Sequence, residues 1–553
     1  MVSPRSGGGG GGGGLAPGEL PPARYGNAGA PVLAANAAPR LPGTGRPARA
    51  FVQERYRSIW DNPFLAAAEA PLSTFAVDVD TAAYSNVRRF LMGDQRPPFD
   101  AIRIEELVNY FPYADALPEN GGPPVRVNLE LTDAPWRPEH RLLRVNLTTR
   151  PIAFDARPLS NLVFLIDVSG SMQDVNKLPL VKTALRLLLE QLGENDRVAI
   201  VVYAGASGLA LPSTSGLDKA AILDAIDRLE AGGSTAGSEG IALAYETALA
   251  HAIPGGANRV ILATDGDFNV GITDPTALED LIAAKARSGI FLTVLGFGMG
   301  NLQDETLERL ADRGNGHYAY IDTPAEARKV FVEQIGGTLV TVAKDVKLQL
   351  ELNPGRIAGY RLLGYENRLL AAADFNDDTK DAGDIGAGHH VTALYELIPA
   401  GLAVPTAPPS PTPAPTLAWD APFATATAGP DAIPAATPDV DPLRYAGGDA
   451  ALAVELLAVK LRYKLPDADA STRLVIPLGD AAVPLDAASA DLRFASAVAE
   501  LGMLLRGSPH SGAAGYAAAR ARAAAALGDD PGGYRAGFLE LVDRAAALDA
   551  GGR

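Results

Sequence analysis

The 553-residue sequence contains no cysteine. Within these residues that excludes disulfides, thiol catalysis, thiolate-bound zinc and a cysteine-linked lipid anchor. Positive charge is also scarce: 48 Lys and Arg stand against 65 Asp and Glu, a net charge of −17. Nucleic-acid phosphates demand basic patches, so this balance argues against a DNA or RNA partner, and it gives an anionic membrane surface nothing to attract. No stretch approaches the roughly 18–20 apolar residues that span a bilayer, so no transmembrane segment is expected. Met1 to Ser6, followed by the run Gly7 to Gly14, lacks the apolar centre of a signal peptide. Read from Met1, nothing exports the chain; a displaced start and a lost upstream signal both remain open. No Gly-x-Ser-x-Gly turn, Walker loop or His-Glu-x-x-His run occurs.

What is present is a chain that is 47% hydrophobic, long enough for several domains. Residues 1–50, dominated by Gly, Ala and Pro, are expected to be a disordered tether. Residues 51–120 predict short helices. Tyr84, Val87, Phe90 and Leu91 fall at helical spacing after a possible cap at Thr81. Asp100 is a possible cap for a second helix holding Leu107, Val108 and Phe111, with Pro112 as its stop. Strand-like runs Val125–Leu131 and Leu142–Thr149 follow, within 121–155.

From 160 to 342, apolar strands at Leu162–Val168, Val198–Tyr203, Val260–Thr264, Ile290–Phe297 and His317–Ile321 alternate with amphipathic helices. The helix after the first strand carries Leu178, Val181, Leu185, Leu188 and Leu192 at steps of three and four. This alternation predicts an α/β fold, a doubly wound, mostly parallel sheet covered on both faces. Residues 343–480 then read as strands without helices, at Val346–Leu352, Tyr360–Tyr365, Val391–Leu397, Leu456–Tyr463 and Leu474–Pro477. A Pro-rich, extended insertion is expected at 400–447. An Ala-rich helical region at 488–549 closes the chain, with Phe494, Val498, Leu501 and Leu505 in one stripe and Phe538, Leu541 and Val542 in another. If the strands before and after the α/β unit pair, that unit is inserted in a β-sandwich-like domain.

The residues with chemistry sit at strand ends. Asp167, Ser169 and Ser171 follow the first strand, Thr235 lies in a Gly-Gly-Ser-Thr loop, and Asp265 ends the fourth main strand. In an open α/β sheet, ligands bind beyond the carboxyl ends of strands where strand order reverses. With the order 3-2-1-4-5-6, Asp167 and Asp265 meet there. Two carboxylates and three hydroxyls are hard oxygen ligands, suited to Mg²⁺ or Mn²⁺, with Ca²⁺ a poorer match. Such a set leaves a cation under-neutralised and attractive to an outside carboxylate. The bland alternative is a group of ordinary turn and cap residues.

Asp167-x-Ser169-x-Ser171, Thr235 and Asp265 together resemble the metal-ion-dependent adhesion site of von Willebrand factor type A domains. That resemblance implies a bound divalent cation completed by a Glu or Asp of a protein partner. The segments 73–81, 103–111, 390–397 and 459–463 also resemble the bacterial YfbK-like proteins, which have a conserved N-terminal region, a central type A domain and a C-terminal region of unknown function. Members are often predicted envelope lipoproteins, which implies a cell-envelope location; this chain departs in having no lipobox cysteine or signal. The resulting expectation is a non-enzymatic adhesion or assembly module. A second reading is an intracellular type A scaffold of an enzyme complex. A third is an Asp-dependent hydrolase centred on Asp78 and Asp80, against which Ala82 stands where the haloacid dehalogenase pattern requires Thr. His389 and His390, adjacent in a strand, should point to opposite faces and so cannot chelate one metal. Gly296 to Gly300 is read as a loop rather than a phosphate cradle, and Asp267 and Asp274 as an acidic rim. Partner identity and oligomeric state are not written in the sequence.

Overall fold

The computed structural model describes residues 54–153, 156–204, 206–232, 238–266, 275–380, 382–405, 440–447 and 452–551. The expectations for residues 1–50, for most of 400–447 and for Thr235, Asp267 and Asp274 fall outside the described residues.

The chain begins with two short strands, β1 (Leu65–Ala66) and β2 (Leu72–Ala76), then helices α1 (Ala82–Met92) and α2 (Ile104–Asn109), then the hairpin β3 (Val125–Ala134) and β4 (Arg137–Thr149). The α/β unit comprises β5 (Ser160–Asp167), α3 (Leu178–Glu190), β6 (Arg197–Ala204), β7 (Ala206–Ser215), α4 (Lys219–Asp227), α5 (Ser238–Ala250), β8 (Ala257–Thr264), α6 (Pro275–Ala286), β9 (Phe291–Phe297), α7 (Asp304–Arg313) and β10 (Tyr318–Ile321). It ends in α8 (Pro324–Arg328), a π-turn at Lys329–Glu333 and α9 (Ile335–Leu339). Seven strands follow: β11 (Thr341–Leu352), β12 (Ile357–Leu363), β13 (Leu369–Leu370), β14 (Gly383–Gly386), β15 (His390–Pro399), β16 (Glu455–Lys464) and β17 (Ser471–Gly479). Helices α10 (Ala490–Arg506), α11 (Tyr516–Ala524) and α12 (Tyr534–Ala550) close the chain.

The central sheet runs β10-β9-β8-β5-β6-β7, which is the 3-2-1-4-5-6 order. Both neighbours of β5 pair with it in parallel. Alternation along β5 explains the double winding. Leu162, Phe164 and Ile166 join the core under α3, while Val163 and Leu165 join the core under α5, α6 and α7. The sequence pattern missed β7, the antiparallel edge on β6. Its Ser, Gly and Pro212 weaken the apolar signal, and a proline fits an edge strand, where its missing N–H breaks no ladder.

The flanking strands form two antiparallel sheets, β1-β12-β15-β4-β3 and β13-β2-β11-β16-β17, with β14 on β11. Leu143, Val145 and Tyr395 of one sheet and Phe75, Leu348 and Val459 of the other share one buried core, so this is a sandwich. Strands β1 and β2 come from the stretch expected to be helical; Leu72–Ala76 is too short and too rich in Ser and Thr to announce itself. The α/β unit is inserted as expected. The single turn at residues 386–389 ties both crossing points: Gly388 N–H donates to the Arg150 carbonyl at 2.9 Å and Ala387 N–H to the Val340 carbonyl at 2.8 Å. Thr81 and Asp100 give no side-chain cap to a helix. Asp100 instead accepts from Ile59 N–H at 3.3 Å, and α2 starts four residues beyond that position, at Ile104 after Arg103. The α10 stripe and the α12 residues pack into one core with α1 and α2. Among the described residues no helix is long and apolar enough to cross a membrane.

Candidate functional site

Strands β5 and β8 lie side by side at the centre of the sheet, and their last residues deliver Asp167 and, one step further, Asp265 to the same carboxyl edge. Both carboxylates are fully buried. After Asp167 the chain turns at once. Ser169 N–H donates to Asp167 Oδ1 at 2.9 Å, and a short 3₁₀ turn spans Gly170–Gln173. Met172 anchors that turn by inserting, fully buried, into the core beneath α3. The turn brings Ser169 Oγ and Ser171 Oγ to 2.9 Å from each other, and places Ser171 where it helps to lower the Asp265 pKa. Four of the five sequence candidates thus form one connected cluster of oxygens.

Thr235 lies outside the described residues; Gly232, three residues before it, donates its N–H to the Val168 carbonyl at 2.8 Å. Thr264 Oγ1 and the Tyr203 hydroxyl donate to Asp167 Oδ2 at 3.2 and 3.3 Å. Burial, with the Asp265 charge beside it, pushes the Asp167 carboxyl up to about 6, against the hydrogen bonds that hold it down. Burial also acts to raise Asp265, but the Lys177 ammonium more than offsets this and leaves that carboxyl below its ordinary value.

Lys177 escaped the sequence reading. Its Nζ lies 2.9 Å from Asp265 Oδ2 and 3.4 Å from Asn301 Oδ1, and the residue is buried. A signal was available. Lys177 stands immediately before α3, where the helix dipole repels a cation, so a nearby carboxylate is required. The glycine-rich loop after β9 makes room for it. Gly298 has φ +73°, and a Cβ there would lie 2.3 Å from Lys177 Cε. The loop is therefore a passage for a lysine side chain, not a phosphate cradle.

The donor set fits a hard divalent cation: all donors are oxygen, and among the described residues two carboxylates stand against the one ammonium of Lys177. Asp167, Ser169, Ser171 and Asp265 would hold the ion, with Lys177 as an internal counter-charge.

The other sequence candidates make contacts between elements. Asp78 pairs with Arg368 at 3.1 Å, and Asp80 Oδ1 accepts from Tyr318 N–H at 2.8 Å. Arg368 also pairs with Asp312 at 2.9 Å. This network joins the N-terminal segment, the α/β unit and the sandwich. His389 and His390 do diverge: His389 meets His317 with ring centroids 5.3 Å apart, whereas His390 Nε2 donates to the Phe111 carbonyl at 2.6 Å.

Comparison with known proteins agrees with this architecture. Residues 161–334 match the family described as von Willebrand factor type A domain, residues 50–144 one described as von Willebrand factor, and residues 337–411 and 425–548 the C-terminal region of the uncharacterized protein YfbK. The chain is 43% identical over 502 residues to the uncharacterized protein YfbK of Escherichia coli (strain K12), covering 89% of this chain and 81% of that one. It is 28% identical over 192 residues to the inter-alpha-trypsin inhibitor heavy chain H3 of Bos taurus, covering 33% and 21%. A solved von Willebrand factor type A structure from Catenulispora acidiphila aligns over 73% of this chain and 87% of its own, with 17% identity and a TM-score of 0.38.

Proposed function

The chain belongs to the YfbK family of bacterial proteins built around a von Willebrand factor type A domain, and from that premise we propose that it is a non-enzymatic, cation-dependent protein-binding module. The observation that carries this reading is the gathering of Asp167, Ser169, Ser171 and Asp265, from two separate strand ends, into one oxygen cluster whose two carboxylates and Ser169 are buried and whose Ser171 is exposed. Mg²⁺ or Mn²⁺ held there would offer a partner's Glu or Asp a vacant coordination position. The chain's own residues do the rest. Thr264 and Tyr203 orient Asp167, Met172 fixes the serine turn, and Lys177 limits the net charge.

The test is affinity capture with wild type and Asp167→Ala, each with Mg²⁺ and with EDTA. The reading expects a partner retained by wild type with Mg²⁺ alone. Equal capture by Asp167→Ala, with circular dichroism showing both proteins folded, would refute it. By family resemblance the working location is the cell envelope. Fractionation of the native host tests this separately, and recovery in the cytosol alone would overturn it.

A further inference from the structure

A second feature of the α/β unit is independent of the oxygen cluster. A cavity of about 510 Å³ lies where the α8–α9 segment meets the sandwich and α12. It is lined by His317, which precedes β10 at the amino end of the parallel strands, whereas Asp167 and Asp265 stand at the carboxyl ends. Its volume falls within the usual range of small-molecule sites. Ile152, Leu295 and Val330 supply apolar wall and Tyr110 and Tyr534 aromatic wall.

Among the charged and imidazole side chains of its lining, Arg157, His317, Lys329, His389 and His390 stand against Glu333 alone. Lys329 is 2% exposed and opens the π-turn, a helix defect often found at functional sites. Its Nζ donates to the Tyr110 carbonyl at 2.6 Å and lies 2.9 Å from the Tyr110 ring centre. Among the described residues it has no carboxylate at ion-pair distance; Glu326 and Glu333 act on it only through space. Glu326 is engaged by Arg88 at 2.8 Å, and Glu333 accepts from the Tyr534 hydroxyl at 2.7 Å.

On another wall, His317 and His389 face each other. His389 Nδ1 accepts from Gly386 N–H at 3.4 Å, while the His317 ring nitrogens have no hydrogen-bond partner among the described residues. Behind them is Arg259, 1% exposed, which donates to the cavity residue Thr293 at 3.3 Å and forms no ion pair among the described residues. Asp384 reaches Arg259 only through space. Arg157, also on the lining, is already paired with Asp196. A buried cation without a carboxylate beside it is costly, so a cavity that gathers Lys329, Arg259 and two imidazoles with no carboxylate at ion-pair distance among the described residues is suited to an incoming anion. The basic groups register that deficit. Burial, reinforced by neighbouring positive charge, holds His317 well below its ordinary value and His389 near 4, and burial holds Lys329 near 7.

We propose that this cavity binds a small organic anion, a carboxylate or phosphate group carried on an apolar body, with its charge matched by Lys329 and the His317–His389 pair and its body against the tyrosines.

The experiment is isothermal titration of the full chain with butyrate and, in a separate arm, with inorganic phosphate. Wild type, Lys329→Met, His317→Gln and the exposed-surface control Arg520→Gln are compared. The proposal expects saturable binding of at least one probe and shows which anion class is preferred. It expects weakening by about tenfold or more in Lys329→Met and His317→Gln, with the control unchanged. Proton uptake on binding should appear as a dependence of the heat on buffer ionisation enthalpy, because the imidazoles are neutral beforehand. Absence of saturable binding for both probes overturns the proposal. So does binding of equal strength in Lys329→Met and His317→Gln, which would place the anion elsewhere.

Discussion

Replacing Lys177 by methionine keeps the length of the side chain and removes its charge. In the wild type the ammonium sits 2.9 Å from Asp265 Oδ2 with both groups buried. Breaking a buried pair from one side costs about 3–5 kcal/mol, so Lys177→Met in EDTA should be destabilised by about that amount. The same change should strengthen cation binding. Unit charges about 4 Å apart interact by about 4 kcal/mol at an effective dielectric of about 20. Even if rearrangement cancels most of that, a tenfold gain in Mg²⁺ affinity, about 1.4 kcal/mol, should remain. Denaturant unfolding in EDTA and in Mg²⁺, with calorimetric titration of Mg²⁺, reads both quantities. The stability lost in EDTA should be largely restored by Mg²⁺. Gly298→Ala reaches the same state by another route, since its Cβ would displace the Lys177 side chain, and it should also bind Mg²⁺ more tightly than wild type. Unchanged or weaker Mg²⁺ binding in both folded variants would refute the view of Lys177 as an internal counter-charge.

Two further outcomes concern the scaffold. Met172→Ala touches no candidate ligand, yet it empties the core position that pins the serine turn. It should cost about 2–5 kcal/mol and weaken Mg²⁺ binding, measured by the same titration. The buried Glu396 accepts from Trp136 Nε1 at 2.9 Å, His140 Nδ1 at 2.6 Å and Arg361 at 2.8 Å. Against the upward push of burial, these partners lower its pKa from 4.5 to about 2. A depressed carboxylate stabilises the fold above its unfolded pKa and loses that contribution as pH falls through the folded one. Glu396→Gln should therefore lose on the order of 3 kcal/mol at neutral pH, and the gap to wild type should narrow steadily below about pH 4.5. Urea unfolding across that range checks the sign; a gap that stays constant would contradict it.

The double-wound sheet was legible because β5, β8 and β9 are nearly continuous apolar runs and α3 repeats its leucines at helical spacing. β7 was not, since Ser, Gly and Pro212 at an edge carry little apolar signal. β2 was hidden for a similar reason: Leu72–Ala76 becomes a strand only by pairing with β11, far along the chain. Asp167, Ser169, Ser171 and Asp265 could be named because their order on strand ends fixes where they meet. The place of Lys177 before α3 signalled a need for a carboxylate, but only the fold shows which one, since Asp265 and Gly298 approach it from other strands. Asp78 and Asp80, readable as catalytic, are consumed by Arg368 and the Tyr318 N–H, contacts across more than two hundred residues that no local pattern reports.

The central claim is that this oxygen cluster holds one divalent cation. The most direct measurement is an anomalous difference map from crystals grown with Mn²⁺. The account predicts a single strong peak bounded by Asp167, Ser169, Ser171 and Asp265, absent from Asp167→Ala crystals grown identically. A map with no peak among those four side chains, at full occupancy of added manganese, would contradict it.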